Sequence, residues 1–299
     1  MNNVKSTFSI KDLENLTGIK AHTIRIWEKR YNLLKPDRTN TNIRYYDLES
    51  LQMLLNISFL NDNGYKISKI ASLTKGETAE IVRNIAIKSG SKNHALNLLK
   101  LSMLNFDQAL FYSTYDSLAI EKSFKEIFYE VLIPLLSEIG LLWQTDTITP
   151  AHEHFVTTLI RQKISTNTEI YQSKNKKQSK STFVLFLPDN EIHELGLMYL
   201  NLEIISNGYQ SILLGPSVPI DSLVEILGHY DKITFISYLT VKPERENIMT
   251  YIKEFEEKIL KAPNSELWLL GRMIGFIDTK NLHKSIKIFK NIDELVGKL

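Results

Sequence analysis

The chain has 299 residues, which is enough for two or three domains with ordinary cores, and it contains no cysteine. The lack of cysteine excludes disulfides, thiolate metal sites and thiol nucleophiles, so a bound metal would need histidine, carboxylate or a prosthetic group. Neither a run of eighteen apolar residues nor a charged-then-apolar leader is found, which predicts a cytoplasmic protein without a membrane span.

Positive charge is concentrated in the N-terminal quarter of the chain. Residues 1–75 hold 12 lysines and arginines against 7 aspartates and glutamates, a net charge of +5. Because the whole chain carries only +2, the remainder carries −3. This asymmetry is typical of a nucleic-acid-binding module joined to a mildly acidic body.

A helix-turn-helix is predicted close to the N-terminus. Ser9 can cap a first helix over residues 10–16, Gly18 lies in a tight turn, and a second helix begins near Ala21. One face of that second helix is apolar and can pack, whereas the other face is polar and can meet DNA. The polar side chains predicted to contact DNA are Thr23, Arg25, Lys29 and Arg30.

The next segment, residues 33–46, places turn-forming residues between two short extended pieces and predicts a wing. After it, Asp47 can cap a third helix through about residue 61, and a short fourth helix is predicted over residues 67–73. Packing is the alternative role for the two wing tyrosines. The wing residues predicted to contact DNA are Arg38, Arg44, Tyr45 and Tyr46.

The order of these residues resembles the MerR family of winged-helix transcription regulators. The second helix matches the family's Thr-x-Arg-x-x-Glu through Glu28, and residues 33–38 and 44–46 match Leu-Leu-x-Pro-x-Arg and Arg-x-Tyr. Asn42 and Ile43 replace the family's Gly-Tyr, so the tip of the wing is expected to differ. The resemblance covers roughly the first 75 residues and implies binding to a double-stranded DNA operator.

Residues 77–172 show helical patterns and no convincing strand, and a four-helix bundle is the economical interpretation. The helices are predicted near residues 95–104, 106–118 and 123–142. A further helix is expected to begin at Pro150, with Thr149 as its N-cap.

The spacing of Trp143, nine intervening residues and then Glu153-His154 resembles the helical cap over cobalamin in light-sensing regulators of the CarH type. The resemblance implies that Trp143 covers the upper face of the corrin ring and that Glu153 and His154 contact the upper side of the cofactor. Relatives with a photochemical switch usually carry a histidine after this tryptophan. Gln144 stands there instead, and because an amide is a poor cobalt ligand, the usual bis-histidine photoproduct is not expected.

Other roles for these residues follow from the helical pattern alone. The tryptophan can be a core residue, Glu153 can complement the helix dipole, and His154 can be a satisfied bundle histidine. A zinc site that uses His152 and His154 is disfavoured, because side chains two apart on a helix point to nearly opposite sides.

Residues 173–181 are predicted to be a flexible linker, after which strand and helix patterns alternate as in a doubly wound, Rossmann-like parallel sheet. Connections of this kind bring the loops that follow the strands to one edge of the sheet. His193, Gly215, Ser237 and Gly271 are therefore predicted to converge there. Strands are predicted near residues 182–187, 210–214, 232–237 and 266–270, and helices near 194–207, 219–229 and 244–260.

The residues at this edge resemble the cobalamin-binding domain of the "base-off, His-on" type, whose pattern is carboxylate-x-His-x-x-Gly, then Ser-x-Leu, then Gly-Gly. The resemblance implies that His193 is the lower cobalt ligand and that Glu191 orients it. Arg272 replaces the second glycine, where it can either crowd the nucleotide tail or contact its phosphate. An ordinary loop histidine in a flavodoxin-like domain is the alternative. The remaining residues expected to line the cofactor site are Gly196, Gly215, Ser237, Leu239 and Gly271.

These predictions describe a multidomain α and α/β protein. Its expected parts are a MerR-like winged helix-turn-helix (1–75), a helical-bundle cobalamin cap (77–172) and a Rossmann-like cobalamin-binding domain (181–299). The predicted function is that of a DNA-binding transcription regulator rather than an enzyme. It is expected to be a repressor whose oligomerisation, as a dimer or tetramer, and DNA affinity respond to adenosylcobalamin, or to methylcobalamin, and to light.

Two alternatives are a corrinoid methyl-carrier protein or methyltransferase subunit, and a regulator whose cobalamin pocket has become a protein-interaction domain. A methyltransferase would need a substrate barrel of about 250 residues, and no segment remains to build one. A methyl carrier would have no use for the helix-turn-helix.

Overall fold

The computed structural model describes residues 7–89, 92–145, 147–174 and 181–299. It divides into two compact units, Met1–Ile160 and Arg161–Leu299. The first unit joins the N-terminal module to the helices that follow it, and the second contains the large sheet. The predicted linker falls mainly on residues 175–180, which lie outside the described residues.

The helix-turn-helix is present, and local hydrogen bonds define it. Ser9 caps α1 (Ile10–Thr17) in a capping box: its Oγ accepts the Asp12 amide at 3.1 Å, and Asp12 Oδ2 accepts the Ser9 amide at 2.7 Å. Gly18, with a φ of +75°, ends the helix in the left-handed region. The second helix, α2, spans Ala21–Tyr31.

A small antiparallel sheet follows the two helices. It consists of β1 (Thr7–Ser9), β2 (Asp37–Arg38) and β3 (Arg44–Asp47), in the order β1-β3-β2. The hairpin of β2 and β3 occupies the segment that was predicted to be a wing. Asp47 caps α3, as expected, because its Oδ1 accepts the Ser50 amide at 2.8 Å. The next two helices are α3 (Leu48–Asp62) and α4 (Ile67–Ile70).

The rest of the first unit is helical, with two departures from the predicted boundaries. Phe106 adopts a φ of +52° and Asp107 caps the following helix, so that helix begins later than residue 106. A π-helical turn, Phe128–Leu132, interrupts the helix predicted over residues 123–142. The helices are α5 (Lys75–Ser89), α6 (Lys92–Asn105), α7 (Gln108–Ala119), α8 (Phe124–Ile127), α9 (Ile133–Gln144) and α10 (Pro150–Lys174).

The second unit is built on a five-stranded parallel sheet with the order β5-β4-β6-β7-β8. The four predicted strands are present, and the short β8 was not predicted. The strands are β4 (Ser181–Phe186), β5 (Gln210–Gly215), β6 (Lys232–Tyr238), β7 (Ser265–Leu270) and β8 (Ile286–Ile288). The helices of this unit are α11 (Leu195–Ser206), α12 (Ile220–Val224), α13 (Ile248–Lys258) and α14 (Ile292–Val296).

The strand order locates the place where a ligand can bind. The chain leaves β4, adds β5 on one side of it and then adds β6 on the other side. Open α/β sheets bind ligands at such a reversal, beside the carboxyl ends of the strands. The loop after β4, which carries Glu191 and His193, therefore lies at the ligand-binding position of this sheet.

Candidate cofactor and DNA sites

Glu191 is a buried carboxylate held by the backbone of two loops. Its Oε1 accepts the amide N–H groups of Ile192 at 2.9 Å and His193 at 3.0 Å. Its Oε2 accepts those of Val241 at 2.6 Å and Lys242 at 2.8 Å. The loop after β6 is thereby attached to the loop after β4, across 50 residues of sequence.

The same carboxylate sets the proton position on His193. Burial alone raises the pKa of Glu191, but the N–H donors of Lys242, Val241 and His193 outweigh it and hold this pKa at about 2. An ionised carboxylate only accepts, so His193 Nδ1, 2.5 Å from Oε1, carries the proton. The side chain of His193 is half exposed, and its Nε2 has no hydrogen-bond partner in the described part of the chain. This tautomer leaves the Nε2 lone pair available to bind a metal.

Neighbouring contacts hold the same loop. Glu194 Oε1 pairs with Arg161 Nε on α10 at 2.7 Å. The amide of Ser217 donates to the Glu191 carbonyl at 3.2 Å. Gly215, at the end of β5, has a φ of +85°, which a glycine adopts without strain, and its carbonyl accepts the Leu187 amide at 2.9 Å.

Three of the predicted lining residues have packing roles of their own. Gly271, with a φ of +108°, lies so close to Leu239 that a Cβ there would be 2.5 Å from the Leu239 carbonyl oxygen. Leu239 is fully buried and donates its amide to Leu270 at 2.8 Å. At Gly196 a Cβ would lie 2.9 Å from Tyr238 Cε2. These glycines allow close approach of the protein's own atoms, whether or not a cofactor is bound.

The predicted cap residues lie at the end of α9 and in the first turn of α10. Trp143 is 51% exposed, His154 is exposed and Glu153 is partly exposed. His152 is buried, stacks on Phe106 at 4.8 Å, and its Nδ1 lies 2.9 Å from the Thr149 hydroxyl. The two histidines therefore have different environments, and the described residues contain no group of three side chains that could hold a metal ion. The side chain of Gln144 lies outside the described residues.

The loop between Trp143 and Glu153 contacts the N-terminal module, which the sequence did not suggest. Thr147 is buried, and its hydroxyl accepts a hydrogen bond from Asn15 Nδ2 on α1 at 3.2 Å. The amide of Thr147 donates to the Leu142 carbonyl at 2.9 Å. The loop between Trp143 and Glu153 is thus attached both to α9 and to the first helix of the helix-turn-helix.

Most of the predicted DNA-binding side chains are accessible. Those on α2 and β2 are exposed, apart from Thr23, which is partly exposed. On β3, Arg44 and Tyr45 are partly exposed. The exposed cations are Arg25, Lys29, Arg30 and Arg38.

Tyr46 was predicted to contact DNA, and its position in the structure shows that this prediction is wrong. It is 1% exposed, and its hydroxyl donates to Glu28, so it packs in the core and cannot reach DNA. Burial, followed by the Glu28 carboxylate, raises the pKa of this tyrosine above its usual range. Glu28 also pairs with Arg44 Nε at 3.1 Å, which ties α2 to the wing hairpin. The family pattern includes Glu28, but only the structure shows this role.

Two protein families match segments of this chain, one with a DNA-binding module and one with a cofactor-binding domain. Residues 8–77 match the MerR HTH family of regulatory proteins, and residues 95–166 match a B12 binding domain. The chain therefore combines a segment similar to MerR regulatory proteins with a segment similar to B12-binding domains.

The similar curated proteins are HTH-type transcription regulators. The chain is 29% identical over 229 residues to the HTH-type transcriptional repressor CarH of Myxococcus xanthus, which covers 73% of each chain. It is 25% identical over 225 residues to the repressor CarA of the same organism, covering 73% of this chain and 71% of CarA. The N-terminal module alone is 31% identical over 74 residues to the HTH-type transcriptional regulator MlrA of Escherichia coli K12, covering 25% of this chain and 30% of MlrA.

A solved structure has a similar fold over a large part of the chain. The monomethylamine corrinoid protein of Methanosarcina barkeri superposes with a TM-score of 0.56 at 15% identity, over 70% of this chain and 98% of that protein. Within the described ranges, each helix is too short or too polar to cross a membrane.

Proposed function

We propose that this chain is a cobalamin-dependent transcription regulator that binds operator DNA through its N-terminal module. The Glu191–His193 pair carries the proposal, because it presents a free Nε2 lone pair at the ligand-binding edge of the sheet. The ionised Glu191 supports a metal-binding role for this histidine, because metal-binding histidines commonly donate their other ring N–H to a carboxylate. The MerR module gives the same chain a DNA-binding function.

In this proposal His193 would bind the cobalt of the cofactor, and Glu191 would fix the tautomer and the orientation of the ring. Cobalamin, when bound, would supply a cobalt ion that accepts an imidazole. Trp143, Glu153 and His154 would contact the cofactor as its cap residues, and the exposure of Trp143 suits a side chain that a corrin ring would cover. Gly196, Gly215 and Ser237 would line the site beside His193. Leu239 and Gly271 act indirectly, because they join the loops after β6 and β7.

Adenosylcobalamin is the proposed form of the cofactor, with methylcobalamin as the alternative. The regulator is proposed to be a repressor, in line with the relatives that are named repressors. Its assembly into dimers or tetramers would strengthen DNA binding through multivalency, so cofactor binding or light can act by changing that assembly. DNA affinity measured with adenosylcobalamin in the dark and after green light tests this part.

His193→Ala tests the cofactor site directly. We expect its affinity for cobalamin to fall about tenfold or more, and the bound cofactor to lose the absorption spectrum of an imidazole-ligated cobalt. His229→Ala, which removes an exposed histidine from the same unit, is the matched control and should bind as the unmodified protein does. An unchanged spectrum and affinity in His193→Ala would remove the basis of the site.

The alternative function, a corrinoid methyl carrier or methyltransferase subunit, leaves the helix-turn-helix without a role. Selection of DNA fragments from a random pool by the purified protein separates the two. Recovery of one recurring sequence supports a regulator, whereas recovery of unrelated fragments, together with cobalamin binding, supports a carrier.

A further inference from the structure

One side chain on the exposed face of α2 is apolar. Ile26 is 52% exposed, whereas Ile24, two residues earlier, is completely buried. Residues three and four apart share one face of a helix, so Lys29 and Arg30 lie on the same face as Ile26, and Arg25 is adjacent to it. All three of these cations are exposed. Ile26 is therefore an apolar spot within a positively charged surface.

The charge of this face indicates what covers it. Glu28 is the only acidic residue of α2, and it binds Arg44 and Tyr46 of the wing hairpin, so the exposed face carries positive charge alone. Residues 8–77 match the MerR HTH family, and in a helix-turn-helix the second helix enters the major groove of DNA. Exposed cations suit the phosphates on either side of that groove. The face that carries Ile26 is therefore the one that meets DNA.

Helix stability does not account for an isoleucine at this position. Isoleucine is a weaker helix former than alanine, lysine or arginine, and half of this side chain is not packed against the protein. A single exposed isoleucine elsewhere on a protein needs no explanation, and Ile120, which is 84% exposed, is an example. On a face that meets DNA, however, an apolar side chain loses its water and stabilises the complex only where it finds an apolar partner.

The major groove offers one such partner. Thymine presents its C5 methyl group there, whereas the edges of adenine, guanine and cytosine present hydrogen-bond donors and acceptors. The side chain of isoleucine can neither donate nor accept, so a polar base edge beneath it would lose hydrogen bonds to water and gain none. Among the four bases, thymine is therefore the one that an isoleucine in this groove favours.

We propose that Ile26 is a specificity-determining residue, which packs against the C5 methyl group of a thymine in the major groove of the operator. This inference rests on the DNA-binding part of the proposed function and extends it by naming a base that the operator contains. Ile26 stands at an unspecified position of the Thr-x-Arg-x-x-Glu pattern, so the pattern does not predict this role. Contacts of the neighbouring cations with phosphates would orient the helix but carry no preference for a base.

The test removes the methyl group and the side chain separately. The unmodified protein first selects an operator from a random pool of duplexes, and each thymine of that operator is then replaced in turn by deoxyuridine, which lacks only the methyl group. At the contacted thymine, this replacement should weaken binding by the unmodified protein about fourfold, the effect of one buried methyl group. Ile26→Ala should bind the thymine operator more weakly and should not distinguish thymine from deoxyuridine at that position.

Two further variants serve as controls. Ile26→Val keeps an apolar side chain and should keep the preference for thymine. Ile120→Ala removes an exposed isoleucine outside the DNA-binding module and should bind both duplexes as the unmodified protein does. Because each variant is compared with itself on two duplexes, a loss of folded protein cancels from the ratio of the two affinities.

Two outcomes would overturn the inference and leave the proposed function standing. In the first, Ile26→Ala keeps the full preference for thymine over deoxyuridine, so another group of the protein contacts the methyl. In the second, deoxyuridine at each position leaves binding by the unmodified protein unchanged, so no methyl group is read. If the unmodified protein selects no recurring sequence at all, the proposed DNA-binding function fails, and this inference fails with it.

Discussion

His94 is a buried imidazole in the first unit, outside the sites proposed above. It lies on α6 and packs against Phe59 of α3, with ring centroids 4.4 Å apart. Burial lowers its pKa from the usual 6.5 to about 4, so the ring is neutral in the folded protein at pH 7. The packing of the helices after the MerR module onto α3 therefore depends on an uncharged histidine.

This histidine should make the stability of the first unit depend on pH. The unfolded chain takes up a proton on His94 near pH 6.5 and the folded chain only near pH 4, so the unfolded state binds more protons between these values. We expect the free energy of unfolding to be highest above pH 6.5 and to fall by up to roughly 3 kcal/mol towards pH 4. Urea unfolding at pH 7, 5.5 and 4.5 measures this. His94→Leu should lose less stability over the same interval, and an identical loss would refute the assignment.

At the scale of elements, α11 and β6 approach each other at a single glycine. Gly196 is in the first turn of α11, and the ring of Tyr238, at the end of β6, fills the space that a side chain there would occupy. The glycine of the carboxylate-x-His-x-x-Gly pattern thus has a packing role in the ligand-free protein, in addition to any role towards a cofactor.

A double-mutant cycle tests this close approach. Gly196→Ala should destabilise the second unit by about 1–3 kcal/mol, because the new methyl group would overlap the Tyr238 ring. With Tyr238→Ala already present, the same change should become neutral or stabilising, since alanine is the better helix former. Gly228→Ala, where a Cβ meets nothing within 4 Å, is the control and should have little effect. Equal costs in both backgrounds would mean that the ring moves aside freely.

At the scale of the whole molecule, the positive charge lies in the same part of the chain as the DNA-binding module. The positive N-terminal quarter carries the exposed arginines and lysines of α2 and the wing, and the remainder is mildly acidic. Phosphate contacts supply affinity more than sequence choice, and each of them releases counterions when it forms. DNA binding should therefore depend strongly on salt, and removing one phosphate-binding cation should weaken that dependence.

Arg25→Ala and Arg44→Ala should each reduce DNA affinity and lower the slope of log affinity against log salt by roughly 0.9 for each phosphate that the protein no longer neutralises. Arg44→Ala should also reduce stability, because Glu28 loses its ion-pair partner beside the wing. Lys253→Ala removes an exposed positive charge from α13 and is the matched control, for which the slope should not change. If affinity falls while the slope stays constant, these arginines act through folding or base contacts.

Features that depend on neighbours in the chain could be predicted from the sequence. Ser9, Gly18 and Asp47 mark helix ends because capping hydrogen bonds join residues three or four apart. The four longer strands of the large sheet were predictable because continuous apolar runs are typical of buried parallel strands. Glu191 and His193 stand two residues apart, and their hydrogen bond is likewise a contact between near neighbours in the chain.

Contacts between distant residues could not be predicted and are seen in the folded chain. The three-residue strands β1 and β8 are too short for a recognisable pattern, and pairing with β3 and β7 creates them. Tyr46 alternates with Tyr45 along β3, and the packing of the module places one of them inside and the other at the surface. The attachment of Glu191 to Val241 and of Asn15 to Thr147 joins elements far apart in sequence. Such contacts form only where the fold brings distant residues together. Local sequence propensity does not encode that proximity.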